Sequence, residues 1–366
     1  MINNVSTLCY RLKDKARQLG LSPVGITKAA PLEETRTILE QISRTGGRIP
    51  FTVDSVSRRT DPKLVWPEAE SIVMVGFPYQ VPTVGPSTGR TLKGYFAAGT
   101  YELDYHRVLI DKLSELGTFL QSQVPQAEVF PFVDTGPLVE RALAYRAGLG
   151  VWGENSFLIR PQHGPAFFLG GLATNAVLAP DHPLTDSCLR CRKCRDACPT
   201  NALAVPYRLN YRRCLSYWTQ AKEIMPDELR SQLGNRLYGC DSCLRACPLI
   251  KKSPREGVTV DLIKFATLTN REFRHQYGSS SVAWRGRTVL QRNAVLVLGN
   301  SGQKEVIPIL LRLLLDPRAS IRAAAAWSLG CYGGYQVQSA LEKRLDLETE
   351  PSVQAEIVSA YERSST

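Results

Sequence analysis

No apolar run in this chain approaches the 18 or more residues of a membrane-spanning helix. The longest candidate, residues 166–180, is interrupted by Thr174 and Asn175. The first residues show no basic-then-apolar pattern of a secretory leader, because Lys13, Lys15 and Arg17 lie inside an amphipathic stretch, so none is expected. Both absences point to a cytoplasmic protein with no membrane partner. There is no Walker A sequence, and no local motif suggests a Ser-His-Asp or Cys-His arrangement. The four histidines, His106, His163, His182 and His275, are scattered. Gly148-Leu149-Gly150-Val151-Trp152-Gly153 matches G-x-G-x-x-G, but a helical pattern precedes it and no acid occurs between 155 and 180. A dinucleotide site needs a strand before the glycines and an acid about 20 residues after them. These glycines are therefore expected to end a helix and turn the chain.

What is present is an ordinary globular composition with an uneven charge. Hydrophobic residues make up 43% and charged residues 22%, which excludes a mainly disordered or collagen-like chain. The 366 residues suggest two or three domains. The net charge of +11 is not spread evenly. Residues 1–186 hold 18 basic and 18 acidic residues, residues 187–292 hold 20 and 8, and residues 293–366 hold 7 and 8. The whole excess lies in the middle third, where it is either a footprint for a polyanion or a generally basic surface.

Periodicity divides the chain further. Leu8, Leu12, Ala16 and Leu19 predict a helix over 5–19, and 109–120 repeats that pattern. Ser71–Phe77 and Phe130–Val133 read as strands, 167–177 as one or two, and the segment after Asp134 as a helix to about Ala147. An α/β or α+β domain is expected over 1–180, with a surface loop at 80–94. Residues 256–285 show no clear period. From Thr288 the chain is helical and repeats. Leu290, Ala294, Leu298 and Gly299 recur 31 residues later as Ile321, Ala325, Leu329 and Gly330, and Val306, Leu310 and Leu314 recur as Val337, Leu341 and Leu345. Two helices per unit describe a short α-solenoid of HEAT type, closed by a capping helix over 353–361; an ordinary helical bundle is the alternative.

Eight of the ten cysteines fall between 188 and 247. The first run is Cys188-x2-Cys191-x2-Cys194-x3-Cys198-Pro199. The second is Cys214, then 25 residues, then Cys240-x2-Cys243-x3-Cys247-Pro248. In two-cluster ferredoxins the fourth cysteine of such a run ligates the other cluster. That crossing rule gives one 4Fe–4S cluster to Cys188, Cys191, Cys194 and Cys247, and the other to Cys198, Cys214, Cys240 and Cys243. The departure is Cys214, separated from Cys240 by an insertion carrying Tyr217, Trp218 and Tyr238, which is expected to cover a cluster or contact a cofactor. Two zinc sites are the alternative, but they need neither the third closely spaced cysteine nor the Cys-Pro ending.

With that pattern in place, nearly the whole chain resembles the epoxyqueuosine reductase family. The resemblance rests on Tyr101-Glu102-Leu103-Asp104-Tyr105-His106, on Asp134-Thr135-Gly136-Pro137-Leu138-Val139-Glu140-Arg141, on Gly148 to Ile159, on the two cysteine runs and on the repeat tail. It implies an α+β protein in three parts: an N-terminal α/β cobalamin-binding catalytic domain at 1–180, similar to that of corrinoid-dependent reductive dehalogenases; a ferredoxin-like double 4Fe–4S module at 181–255; and a connector with a C-terminal HEAT-type α-solenoid at 256–366. It further implies reduction of epoxyqueuosine to queuosine at the wobble position of tRNA. The cobalamin would be base-off, in line with the missing glycine of a D-x-H-x-x-G stretch after Asp104-x-His106, and the proton donor would be Asp134.

On residues alone, Asp-Thr-Gly-Pro before an apolar stretch is a helix N-cap signal. As a proton donor, Asp134 is expected to have its pKa raised by burial. Corrin contacts implied by the resemblance are Ser57, Arg58, Ala97, Asp134, Arg141, Asn155, Ser156 and Leu158 in the first domain, and Ser216, Tyr217, Cys240 and Asp241 in the cluster module. The family's glycine turn often reads G-K-N; Glu154 stands here instead and is given no role. The anticodon arm would meet the basic 187–292 face: Arg190, Arg192, Lys193, Arg195, Arg208, Arg212, Arg213, Lys251, Lys252, Arg255, Arg271, Arg274, Arg285, Arg287 and Arg292. An external low-potential electron donor and a monomeric state complete the expectation. The alternatives are a corrinoid reductase of a small molecule and a ferredoxin-like electron carrier on a HEAT scaffold.

Overall fold

The computed structural model describes residues 5–44, 50–52, 54–83, 92–161, 164–186 and 188–364. His163 and most of the loop expected at 80–94 lie outside the described residues, as does the side chain of Lys252. The first elements are α1 (Val5–Gln18), β1 (Val24–Lys28), α2 (Glu33–Arg44), α3 (Val56–Thr60), β2 (Ser71–Pro78), β3 (Val81–Thr83), β4 (Lys93–Phe96), α4 (Tyr105–Gln123), β5 (Val129–Phe132), α5 (Glu140–Arg146), β6 (Val151–Trp152), β7 (Leu158–Ile159) and β8 (Phe167–Thr174). Four strands form one antiparallel sheet in the order β1-β2-β8-β5.

The run SIVMVGF is apolar throughout because its strand is covered on both faces. Val73 and Val75 point to Leu12 of α1 and to Leu109, Leu113 and Leu116 of α4. Ile72 and Met74 point to the opposite face, against Ala142 and Leu143 of α5. This is the alternation of a pleated strand between two layers. The helix expected from Asp134 to Ala147 is shorter. It begins at Glu140, its N-cap position is Val139, and no side chain caps it. Asp134 is not a cap; it stands in the turn after β5 with φ +45.

The cluster segment contributes α6 (Lys193–Asp196), α7 (Leu215–Trp218), α8 (Asp227–Arg230), β9 (Arg236–Tyr238), α9 (Ser242–Arg245) and β10 (Lys252–Glu256). The stretch without a clear period supplies β11 (Thr259–Asp261), α10 (Leu262–Thr267) and α11 (Asn270–Tyr277). Helix α11 opens on a capping box between Thr269 and Glu272, a T-x-x-E signal that stands in the sequence. Sheets stitch these regions to the first domain. β4 lies between β11 and β9, pairing parallel with β9, and β3 pairs with β10.

The tail comprises α12 (Gly286–Asn300), α13 (Ile307–Leu313), α14 (Ala319–Gly330), α15 (Tyr335–Leu345) and α16 (Pro351–Ser364). The repeating glycines mark helix crossings. A Cβ at Gly299 would meet Ser328 of α14 at 2.7 Å, and one at Gly330 would meet the Ala360 carbonyl of α16 at 2.8 Å. The insertion between Cys214 and Cys240 joins this tail rather than standing alone. Leu215, Met225, Leu229 and Leu237 share a core with Leu290, Ala294 and Leu298. Arg292 secures the junction by donating to the carbonyls of Trp218, Ala221 and Glu223. Arg292 is thereby buried, 4% exposed, which corrects its expected place on a tRNA-facing surface.

A candidate redox site where three regions meet

Asp134 projects from the turn between β5 and α5, and its side chain is 65% exposed. Tyr105 Oη donates to Asp134 Oδ2 at 2.8 Å, and His106 Nε2 lies 3.4 Å from the same oxygen. On its other side His106 Nδ1 is 2.6 Å from Asp104 Oδ1. Asp104 caps α4 through the His106 backbone N–H, so helix formation places all three groups. The Tyr105 ring stacks on Phe168 of β8 at 3.8 Å and on His106 at 4.0 Å, fixing the pair against the sheet. The Asp134 backbone N–H donates to Glu140 Oε1.

The charges of this group are interdependent. The hydrogen bond from His106 holds the Asp134 carboxyl below its ordinary range, with Tyr105 adding to the effect. This differs from the raised pKa expected of a proton donor; in this state the carboxylate is the form that its neighbours stabilise. Burial opposes a charge on His106, but its bonds to Asp134 and Asp104 prevail and lift it above its ordinary value. Burial and the Asp134 charge push Glu140 up to about 8. In the sequence Tyr105, His106 and Glu140 stand within the motifs without a role of their own. Their convergence depends on β5 and α4 being neighbours across the sheet edge.

Ser57 and Arg58 lie exposed on α3, the short helix whose Arg59 carbonyl accepts the Val139 N–H from the same turn. Arg141 Nη1 donates to the Ser156 carbonyl at 2.8 Å. Asn155 Nδ2 and Ser156 Oγ are buried without a hydrogen-bond partner, and Ser156 has φ +64. The Leu158 side chain is packed in the core. Across the junction Ala97 donates its N–H to the Tyr238 carbonyl, and Asp241 Oδ2 accepts the Ala98 N–H at 3.1 Å. Asp241 Oδ1 is buried and unpartnered. Ser216 and Tyr217 stand on α7, where the Tyr217 ring is 5.3 Å from that of Phe51. Buried polar atoms left open on Asn155, Ser156 and Asp241 fit a bound group rich in amides and carbonyls.

The cysteines of the two runs lie close together. Cys188, Cys191, Cys194 and Cys247 line one cavity, with Glu154 and Asn155 beside them. Cys243 is pushed up by burial and then by the charges of Cys240, Cys214, Cys198 and Cys194. Cys198 Sγ accepts the Ala202 N–H at 3.2 Å, a donor suited to a thiolate. Short helices α6 and α9 carry the closely spaced cysteines and pack together.

Two neighbouring cysteine runs, a carboxylate–imidazole centre and a repeat tail point to an iron–sulfur redox enzyme. Residues 187–249 match the model of the 4Fe-4S double cluster binding domain, and residues 286–362 that of HEAT repeats. Residues 59–135 match the model described as Epoxyqueuosine reductase QueG, DUF1730. Epoxyqueuosine reductase of Bacillus subtilis is 36% identical over 98% of this chain and 96% of its own length. That of Staphylococcus aureus is 36% identical over 94% of each. The chain belongs to the epoxyqueuosine reductase family.

Solved structures agree. A crystal structure of epoxyqueuosine reductase with an epoxyqueuosine-modified tRNA-Tyr stem loop superposes with a TM-score of 0.92 at 36% identity, covering 99% of this chain and 100% of that one. A Bacillus subtilis structure, with that protein's Asp134 catalytic loop swung out of the active site, has a TM-score of 0.91 at 35% identity over 98% and 100%. No helix among the described residues is long and apolar enough to cross a membrane.

Proposed function

We propose that this enzyme reduces epoxyqueuosine to queuosine at the wobble position of tRNA, with Asp134 delivering a proton to the opening epoxide. The carrying observation is the Asp134 centre, held by Tyr105 and His106 on the domain that strand β4 joins to the cysteine module. Cys188, Cys191, Cys194 and Cys247 would hold one 4Fe–4S cluster, and Cys198, Cys214, Cys240 and Cys243 the other. Base-off cobalamin would be held by Asn155, Ser156 and Asp241, whose open polar atoms fit its amides, with Ser57, Arg58, Ala97, Arg141, Leu158, Ser216, Tyr217 and Cys240 around it.

When bound, cobalamin supplies a low-potential reducing centre for the epoxide, fed with single electrons through the clusters. The chain's own residues manage protons and position. Removing the epoxide oxygen as water takes two electrons and two protons. The opened ring leaves an alkoxide-like oxygen that needs a general acid within hydrogen-bond reach. Asp134, exposed yet tethered, suits that role. Arg190, Arg192 and Lys193, exposed around the first cysteines, suit the anticodon backbone. The enzyme would work in the cytoplasm as a monomer with an external low-potential donor. The test is anaerobic reduction with cobalamin and epoxyqueuosine-bearing tRNA, followed by nucleoside analysis. Queuosine is expected, and its absence would overturn the reading.

A further inference from the structure

We propose that His106 is the proton reservoir of this site: it loads Asp134 for each of the two proton deliveries of a turnover, held in line by Asp104. The inference rests on the proposed reduction and deepens it. Three distances carry it. His106 Nε2 faces Asp134 Oδ2 at 3.4 Å, His106 Nδ1 faces Asp104 Oδ1 at 2.6 Å, and Tyr105 Oη reaches the same Asp134 oxygen at 2.8 Å. An imidazolium has a donor for each carboxylate, whereas a neutral ring satisfies only one. The His106 side chain is 25% exposed, which leaves it a route to solvent protons.

The proton inventory gives such a partner a task. Asp134 at rest is stabilised as the carboxylate, which is no acid, while His106 is stabilised as the cation. The stored proton therefore sits one hydrogen bond behind the group that touches the substrate. Loading comes first: the His106 Nε2–H bond breaks and the proton moves to Asp134 Oδ2. In the delivering step that Asp134 O–H bond breaks as the alkoxide O–H bond forms. Neutral His106 then takes a proton from water. No electron moves in either step, and Tyr105, whose burial keeps its phenol protonated, only holds the carboxylate.

The ionisable groups around His106 are Asp104 and Tyr105 on its own element, Asp134 from the turn, and Glu140 from α5; Arg141 and Tyr238 reach Asp134 in turn. Among them Asp104 and Asp134 set the sign, so His106 is loaded below its raised pKa and empties above it.

Acting through Asp134, His106 is a positioning residue, and its signature is a titration. In holoenzyme carrying cob(III)alamin, the His106 imidazole is followed by nitrogen NMR across pH, in wild type, Asp134→Asn and Asp104→Asn. The midpoint is expected above 6.5 in wild type and to fall in both variants. A wild-type midpoint at or below 6.5, or one unmoved by both variants, overturns the reservoir whether or not queuosine is formed. For the reaction, His106→Gln is expected to lose the alkaline limb that tracks this midpoint and to slow turnover by about 10²-fold. An unchanged pH profile and rate would also overturn it. A wild type that titrates as expected but makes no queuosine would overturn the functional reading alone.

Discussion

At the residue scale the site is governed by which carboxyl carries charge. Asp134 and Glu140 are joined through the Asp134 backbone, and Asp134 also accepts from the Tyr105 phenol and faces His106. Burial first, and then the Asp134 charge, pushes Glu140 up to about 8. A carboxyl whose folded pKa is raised binds its proton more tightly in the folded state. Its penalty is absent below the unfolded value near 4.5 and grows as pH rises towards 8. Glu140→Gln keeps an acceptor for the Asp134 N–H but cannot ionise. We expect its Tm to match wild type at pH 4 and to exceed it increasingly up to pH 8 in thermal melts. A constant gap would mean that Glu140 does not titrate in the folded chain. These relations were not legible in the sequence. Asp-Thr-Gly-Pro gave a sound cap signal, but the turn at Asp134 is held by groups from α4, about thirty residues upstream.

At the element scale, local signals read well and long-range ones did not. The spacing of α1, the buried run of β2 and the thirty-one-residue repeat all became the elements they predicted, because each is written in contiguous side-chain periodicity. The pairing of β4 with β9 and β11 joins segments more than 140 residues apart, and no local pattern encodes it. Arg292 is the same lesson in one side chain. It read as surface charge, yet it closes three carbonyls of an insertion folded against α12.

The proposed cysteine crossing is read from ligand spacing, which is itself local. It makes a sharp prediction. Cys188→Ala with Cys247→Ala removes two thiols of one cluster, so iron analysis should show about half of the wild-type iron retained. If each run held its own cluster, the same pair would disrupt both, and little iron would remain.

At the scale of the whole molecule, the uneven charge acquires a geometry. Of the basic residues counted in the middle third, some are spent on structure: Arg292, Arg195 on the Leu203 and Ala204 carbonyls, and Arg285 on the Gln220 carbonyl. Arg190, Arg192, Lys193, Arg208, Arg271 and Arg274 remain exposed. Phosphate contacts by such residues release counterions, so tRNA affinity should fall with salt at a log–log slope of about −0.7 to −0.9 per contact. Neutralising Arg190, Arg192 and Lys193 together should flatten that slope, as measured by anisotropy with an anticodon stem loop. A slope near zero in wild type would show that this face does not meet the backbone.

The most direct measurement is single-turnover formation of queuosine, under anaerobic reduction, by wild type and by Asp134→Asn with matched iron and corrin content. We expect wild type to convert epoxyqueuosine and the variant to be slower by about 10²-fold or more, the contribution of a positioned general acid. Near-normal turnover in the variant, with cofactors retained, would contradict the central claim that Asp134 delivers the proton.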